Sequence, residues 1–254
     1  MEFHCFGDPQ KPAMLLIHGL LNPWQIWEPH TRFFTDDYYV IVPALDAHVA
    51  EHPSEFVSLD DEAVQIEQYL ADHCGGKAAV VCGLSMGGVI ANRLFERGKI
   101  TMRCLVLDGA PLVRIPRFAE WMMTQSYCTI IHKMKQRDPK TIASFQRDFL
   151  PERFLPLFYP FADTMTDESI RNILSAIWRS EIVPRSDHAG IRLLFLHGDA
   201  KNEMLSAKAA KLMCRHYPQT VVKSCPNMKH AEFASLHPEE WCHDVGAFLR
   251  QSAL

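Results

Sequence analysis

Short apolar runs alternate with helical patterning along most of the chain. Ala13–Ile17 is an unbroken apolar run ending at His18-Gly19 and reads as a buried strand. Asn22 is placed to cap a helix that Pro23 opens and that is expected through Phe34, disturbed at Pro29. A strand follows over 38–42, stopped by Pro43. Ser58 then caps a helix with Asp61 near its positive end and Ala63, Ile66 and Leu70 on the apolar side, closed by Cys74-Gly75-Gly76. The next strand starts at Lys77 and gives way at Gly83-Leu84-Ser85-Met86-Gly87 to a helix that ends near Gly98. A strand over 104–107 closes at Asp108-Gly109. From 112 to 188 strand-like runs vanish, and prolines break helical stretches rich in aromatics and methionine. Alternation then resumes: a strand over 193–196, a helix over 204–216, a strand over 220–223, and a last helix from Pro238 to about 249.

This order predicts an α/β fold with a mostly parallel, doubly wound sheet covered on both faces. Residues 1–111 and 189–254 form its core, and 112–188 form an inserted helical cap. In such sheets ligands bind beyond the carboxyl ends of the strands. Gly19, Ser85, Asp108, the turn over 198–203 and His230 all follow strand ends, so they converge on one edge.

Composition narrows the picture. The 254 residues are 48% hydrophobic, enough for a sizeable core. A net charge of −4 with 22% charged residues leaves no basic footprint for nucleic acid. No apolar run reaches the 18 residues that would suggest a membrane span, and Met1-Glu2-Phe3-His4-Cys5 is unlike the start of a secretory signal. The eight cysteines form no C-x-x-C pair, which suits a reducing cytoplasm. The thirteen histidines show no zinc spacing and are expected mostly on the surface. No cofactor or metal is expected, and nothing fixes an oligomeric state.

A serine between flanking glycines at a strand-to-helix junction is forced into a sharp turn. Its hydroxyl stands clear of the sheet, and the helix N-terminus beside it offers a backbone N–H to an oxyanion. Glycine and serine are common enough that the pentapeptide alone says little. The strand before it and the apolar-faced helix after it give it meaning.

With His18-Gly19, the Gly83–Gly87 pentapeptide and His230 before the last helix, the chain resembles the α/β-hydrolase superfamily over nearly its whole length. The resemblance implies the order nucleophile, acid, histidine, with Ser85 as nucleophile and His230 as base. A glycine commonly precedes the family's histidine; here Lys229 does. The family's acid usually stands three residues after the glycine closing its strand, which here is Lys201. A turn lengthened by two residues brings Glu203 into place, with Asp199 and Asp108 as the other candidates. The implied oxyanion donors are the N–H groups of Met86 and Leu20. After Pro43 the family often has an aspartate and a glycine-rich turn, whereas this chain has Ala44-Leu45-Asp46-Ala47-His48.

In the insert, Phe118, Trp121, Met122, Met123, Phe145, Phe149, Phe154, Phe158, Tyr159, Phe161, Met165 and Trp178 are expected mainly to pack the cap helices, with some lining an apolar crevice. The basic run over 133–137 reads as a solvated helix face. The expected partner is therefore a small, mostly apolar acyl compound: a carboxylic ester cleaved through an acyl-enzyme. A lactonase, amidase, acyltransferase or C–C bond hydrolase on the same triad is the close variant. A ligand-binding protein with little turnover is the alternative of another class.

Overall fold

The computed structural model describes residues 1–148, 150–186 and 190–251. Phe149, residues 187–188 of the expected insert, Ala189 and residues 252–254 of the expected core lie outside the described residues. Seven strands form one sheet: β1 (Glu2–Phe6), β2 (Ala13–Ile17), β3 (Tyr39–Ala44), β4 (Lys77–Leu84), β5 (Thr101–Asp108), β6 (Arg192–Gly198) and β7 (Val221–Cys225). The helices are α1 (Glu28–Phe34), α2 (Leu59–Cys74), α3 (Met86–Arg97), α4 (Arg117–Lys135), α5 (Pro139–Asp148), α6 (Leu155–Thr164), α7 (Asp167–Arg179), α8 (Met204–His216), α9 (Glu232–Leu236) and α10 (Pro238–Arg250).

The strand order is β1-β3-β2-β4-β5-β6-β7, with β1 antiparallel to β3 and the remaining pairs parallel. Every residue of β2 is buried, as suits a strand inside a parallel sheet. β5 and β6 pair directly, Cys104 opposite Arg192 through Asp108 opposite Leu196, so the long segment between them leaves the sheet and returns. That segment holds α4 to α7. It is tied to the segment before α2 at Phe56, whose N–H donates to Ser169 Oγ (3.0 Å) and whose carbonyl accepts from Asn172 Nδ2 (3.1 Å). None of the described helices is long and apolar enough to cross a membrane.

Several elements differ from the sequence reading. β1 was not anticipated, because an edge strand needs no continuous apolar run: Phe3 stacks on Tyr69 while His4, one residue on, stacks on Trp24. Asn22 caps no helix; its N–H closes a turn onto the Gly19 carbonyl (3.2 Å), and a 3-10 turn over Trp24–Trp27 precedes α1, where Pro29 sits harmlessly in the first turn. β3 runs through Pro43 because its pairing with β2 ends at Ile41, so no ladder bond on that side is lost. The short helix α9 was missed. In the insert, Phe145, Phe154, Phe158, Phe161, Met165 and Trp178 are buried as expected, but Phe118, Trp121 and Met122 are exposed on α4. Of the histidines, expected mostly on the surface, His18, His30 and His48 are buried.

The junction of β4 and α3 is a single residue, Ser85, with φ 53° and ψ −114°. A side chain at such an angle is strained by about 1–3 kcal/mol and persists only where its surroundings hold it. Its N–H donates to the Asp108 carbonyl (2.7 Å), and its carbonyl accepts from Val89 N–H (3.1 Å). The flanking glycines admit no larger residue: a Cβ on Gly83 would lie 2.2 Å from the Gly87 carbonyl oxygen, and one on Gly87 2.2 Å from that of Ile17. Both obstacles are backbone in buried elements. Gly87→Ala is therefore expected to destabilise by at least the 1–3 kcal/mol typical of overpacking, read as a lower urea midpoint. Gly246→Ala is the control: it meets the flexible end of Arg250 at 3.2 Å inside α10, and should be neutral or mildly stabilising.

Candidate active site

Ser85, Glu203 and His230 form one hydrogen-bonded chain. Ser85 Oγ lies 2.7 Å from His230 Nε2, and His230 Nδ1 lies 3.1 Å from Glu203 Oε1. The carboxylate can only accept, so Nδ1 carries the imidazole proton and Nε2 is left to accept from the Ser85 hydroxyl.

The turns after β6 and β7 are pressed together to make this chain. The Met228 carbonyl accepts from Ala200 N–H (3.3 Å), and a Cβ on Gly198 would lie 2.0 Å from that oxygen. Asn227 and Ala231 both have positive φ, 61° and 63°, which bends the backbone on either side of His230. Two side chains from the neighbouring turn hold this loop. Asn202 Oδ1 accepts the His230 N–H (3.2 Å), and Asp199 Oδ1 accepts the Asn227 N–H (2.7 Å).

The extra residues after Gly198 form a 3-10 turn, Lys201–Glu203, in which the Glu203 N–H bonds the Ala200 carbonyl (2.9 Å). The turn carries Glu203 into the interior, where it is 1% exposed, while Asp199 stays at the surface. Asp108 is also buried, but its Oδ2 accepts from Trp241 Nε1 (2.8 Å). Burial and the charge of Glu203 push the Asp108 carboxyl up to about 7. For Glu203 burial acts upward too, but the hydrogen bond and charge of His230 outweigh it and leave the group below its ordinary value. Burial would lower His230; the Glu203 hydrogen bond and charge, with a smaller push from Asp108, leave it above 6.5. Of the three carboxylates, Glu203 is the one that touches the imidazole.

On the other side of Ser85 lies the turn after β2. A Cβ on Gly19 would stand 3.3 Å from both the Leu84 carbonyl oxygen and Ser85 Cβ, so this turn rests against the serine. The N–H groups of Leu20, in that turn, and Met86, at the start of α3, donate to no backbone carbonyl among the described residues. His18 and His48 lie beneath, their rings 4.9 Å apart. Burial, with the neighbouring ring adding to it at His18, takes His18 down to about 3, and burial takes His48 down to about 4. The departure after Pro43 keeps a glycine-like bend: Ala47 adopts φ 64°, and its N–H bonds the Ser54 carbonyl (3.0 Å).

The sequence reading did not pick out Asn202, Trp241 or His48. The first two act through tertiary contacts that leave no local pattern. His48 had one signal, its place in the segment that stands where the family has its glycine-rich turn.

The chain is 23% identical, over an alignment of 257 residues, to the pimeloyl-(acyl-carrier protein) methyl ester esterase of Nitrosomonas europaea, spanning 96% of this chain and 99% of that one. A shorter stretch of 93 residues is 27% identical to 3-oxoadipate enol-lactonase 2 of Acinetobacter baylyi, about a third of each protein (35% and 33%). The crystal structure of a protein assigned to the alpha/beta hydrolase family from Desulfitobacterium hafniense superposes with a TM-score of 0.76 at 25% identity, covering 98% of this chain and 100% of that one. The model of the Alpha/beta hydrolase family matches residues 14–245, a span that takes in Ser85, Glu203 and His230, and the chain belongs to that family.

Proposed function

We propose that this chain is a serine hydrolase that cleaves a small, mostly apolar carboxylic ester through an acyl-enzyme on Ser85. The carrying observation is the unbroken path from Ser85 Oγ to His230 Nε2 (2.7 Å) and from His230 Nδ1 to Glu203 (3.1 Å). A free serine hydroxyl is a weak nucleophile and needs a base within hydrogen-bond reach. As Ser85 Oγ bonds to the ester carbonyl carbon, its proton passes to His230 Nε2, and Glu203 stabilises the imidazolium. The Leu20 and Met86 N–H groups receive the negative oxygen, each worth roughly 3–4 kcal/mol in the transition state. Collapse breaks the C–O bond to the alcohol, which leaves with the proton held by His230. Water then attacks the acyl-serine with His230 again as base, releasing the acid and restoring Ser85.

The named activity of the Nitrosomonas europaea relative, on a methyl ester, supports ester cleavage. A second reading, hydrolysis of a lactone by the same steps, is favoured by the stretch shared with the Acinetobacter baylyi enol-lactonase. Against the ligand-binding alternative stands the turn after Gly198, which carries Glu203 to the imidazole.

Turnover of p-nitrophenyl esters and lactones of graded acyl length, with Ser85→Ala as the blank, tests the proposal. Ser85→Ala should lower kcat by about 10⁴–10⁶-fold without unfolding the protein. A loss under tenfold would place the nucleophile elsewhere. The kcat/KM of the native enzyme should rise with pH through one ionisation above 6.5, since His230 must be neutral to accept the proton and Glu203 holds its pKa up.

The three carboxylates give a sharper comparison. Glu203→Gln should cost about 10²–10⁴ in kcat and move that ionisation to lower pH, because an amide can hold the wrong tautomer and removes the charge that favours imidazolium. Asp199→Asn should cost far less. Asp108→Asn should also cost little activity, and its effect on stability should depend on pH. A folded pKa of about 7 against 3.8 means that Asp108 penalises the fold increasingly as pH rises between those values. Thermal melting should therefore show Asp108→Asn more stabilising, relative to the native chain, at pH 8 than at pH 5. A kcat loss at Asp108 or Asp199 larger than at Glu203 would reassign the acid.

A further inference from the structure

His18 and His48 each reach across to the other's loop in the same way. Leu45 N–H donates to His18 Nε2 (3.1 Å), and Leu21 N–H donates to His48 Nε2 (3.2 Å). Each ring also bonds a carbonyl of its own loop through Nδ1, His18 to Gly19 (2.9 Å) and His48 to Asp46 (3.0 Å). A backbone N–H only donates and a carbonyl only accepts, so both rings are neutral with the proton on Nδ1. The two loops are thus cross-braced, each supplying the acceptor for an amide of the other.

The brace acts on the turn that carries Leu20. Asn22 N–H closes this turn onto the Gly19 carbonyl (3.2 Å), and Leu21, its third residue, has φ 62° while Leu20 is not among the residues with positive φ. A positive φ at that position alone is the mark of a type II turn, where glycine is the usual occupant. Types I and II differ by rotation of the middle peptide, here Leu20–Leu21. Type I would relieve Leu21 but would turn its N–H away from its present direction. The acceptor on His48 therefore holds a leucine in the strained form. The flip itself leaves the adjoining Gly19–Leu20 peptide, which bears the Leu20 N–H, in the same setting within the turn; what the His48 acceptor fixes for Leu20 is the place of the turn, anchored at the next residue. Phe161 of α6 packs on the His48 ring at 5.2 Å, which keeps the ring in place.

We propose that His48 is a positioning residue for the oxyanion site: by accepting the Leu21 N–H it anchors the turn that carries the Leu20 N–H against Ser85. This rests on the hydrolase reading above. His48→Phe keeps a ring and removes the acceptor, whereas His48→Gln can accept through its side-chain oxygen. His48→Phe should lower kcat by about 10- to 100-fold, somewhat less than deletion of an oxyanion donor, with KM changed less than about threefold. It should weaken a trifluoromethyl ketone, whose serine adduct carries the oxyanion, by a similar factor. His48→Gln should recover most of both losses.

Unchanged kcat and ketone affinity in folded His48→Phe would overturn the inference. So would equal losses in the Phe and Gln variants, which would mean packing alone. If His48→Phe does not fold, the comparison of His48→Gln with His48→Met, a poor acceptor of similar length, must show the same split. Failure of the hydrolase reading would look different: the native chain would then neither turn over the ester and lactone panel nor bind the ketone through Ser85.

Discussion

The site depends on a close backbone crossing. The start of α3 lies against the ends of β2 and β4 at separations that exclude even a methyl group on Gly83 or Gly87. That approach leaves one residue to turn from strand to helix, and Ser85 takes a conformation a serine would not adopt in isolation. The same crossing fixes the surroundings. The Asp108 carbonyl holds the Ser85 N–H, which locks the end of β5 to the junction of β4 and α3, and β5 in turn sets the register of β6 and the turn beyond it. The turn bearing Leu20 follows β2 directly and is pressed onto Ser85 at Gly19. Ser85, the turn bearing Glu203 and the turn bearing Leu20 are therefore positioned by sheet register.

Much of this was legible in the sequence because the core elements carry strong local signals. β2, β4, β5 and β6 are apolar runs of strand length, and Ser58 and Gly75 mark the ends of α2 by known capping chemistry. Ser85 and His230 stood out through their position between such elements. What escaped has a common physical character. β1 is half-buried and alternates its contacts between faces, so no run announces it. His18 and His48 are polar residues made at home in the interior by partners 27 residues away, which no local pattern encodes. The exposed Phe118, Trp121 and Met122 have the helical spacing of a core-facing stripe, and spacing alone does not say what lies opposite.

Two buried carboxylates beside one imidazole cannot be equally charged at low cost. The structure separates them by partner. Glu203 faces the imidazole and is drawn below its ordinary value, while Asp108 faces an indole N–H, a neutral donor, and is pushed up to about 7. The carboxylate charge is concentrated where the imidazole can answer it. Which of Asp199, Asp108 and Glu203 meets the imidazole, open in the sequence, is thus set by burial and by which turn reaches inward.

The protonation states also set stability against activity. His230, with its pKa raised, contributes stability that is fully present below 6.5 and lost as pH rises through its folded value. Glu203, lowered, contributes stability present above 4.5 and lost as pH falls through its own folded value. Their pairing therefore favours the fold most in mildly acidic solution. The proposed mechanism needs the opposite state of His230, neutral and able to accept a proton. His18 and His48 behave differently: pushed down to about 3 and 4, they stay neutral across the whole range in which His230 titrates. The turn that bears Leu20, the proposed oxyanion donor, is thus held by a brace whose rings keep one protonation state while His230 titrates. A brace built on charged groups, exposed to that same proton, would shift with every change of state at the site.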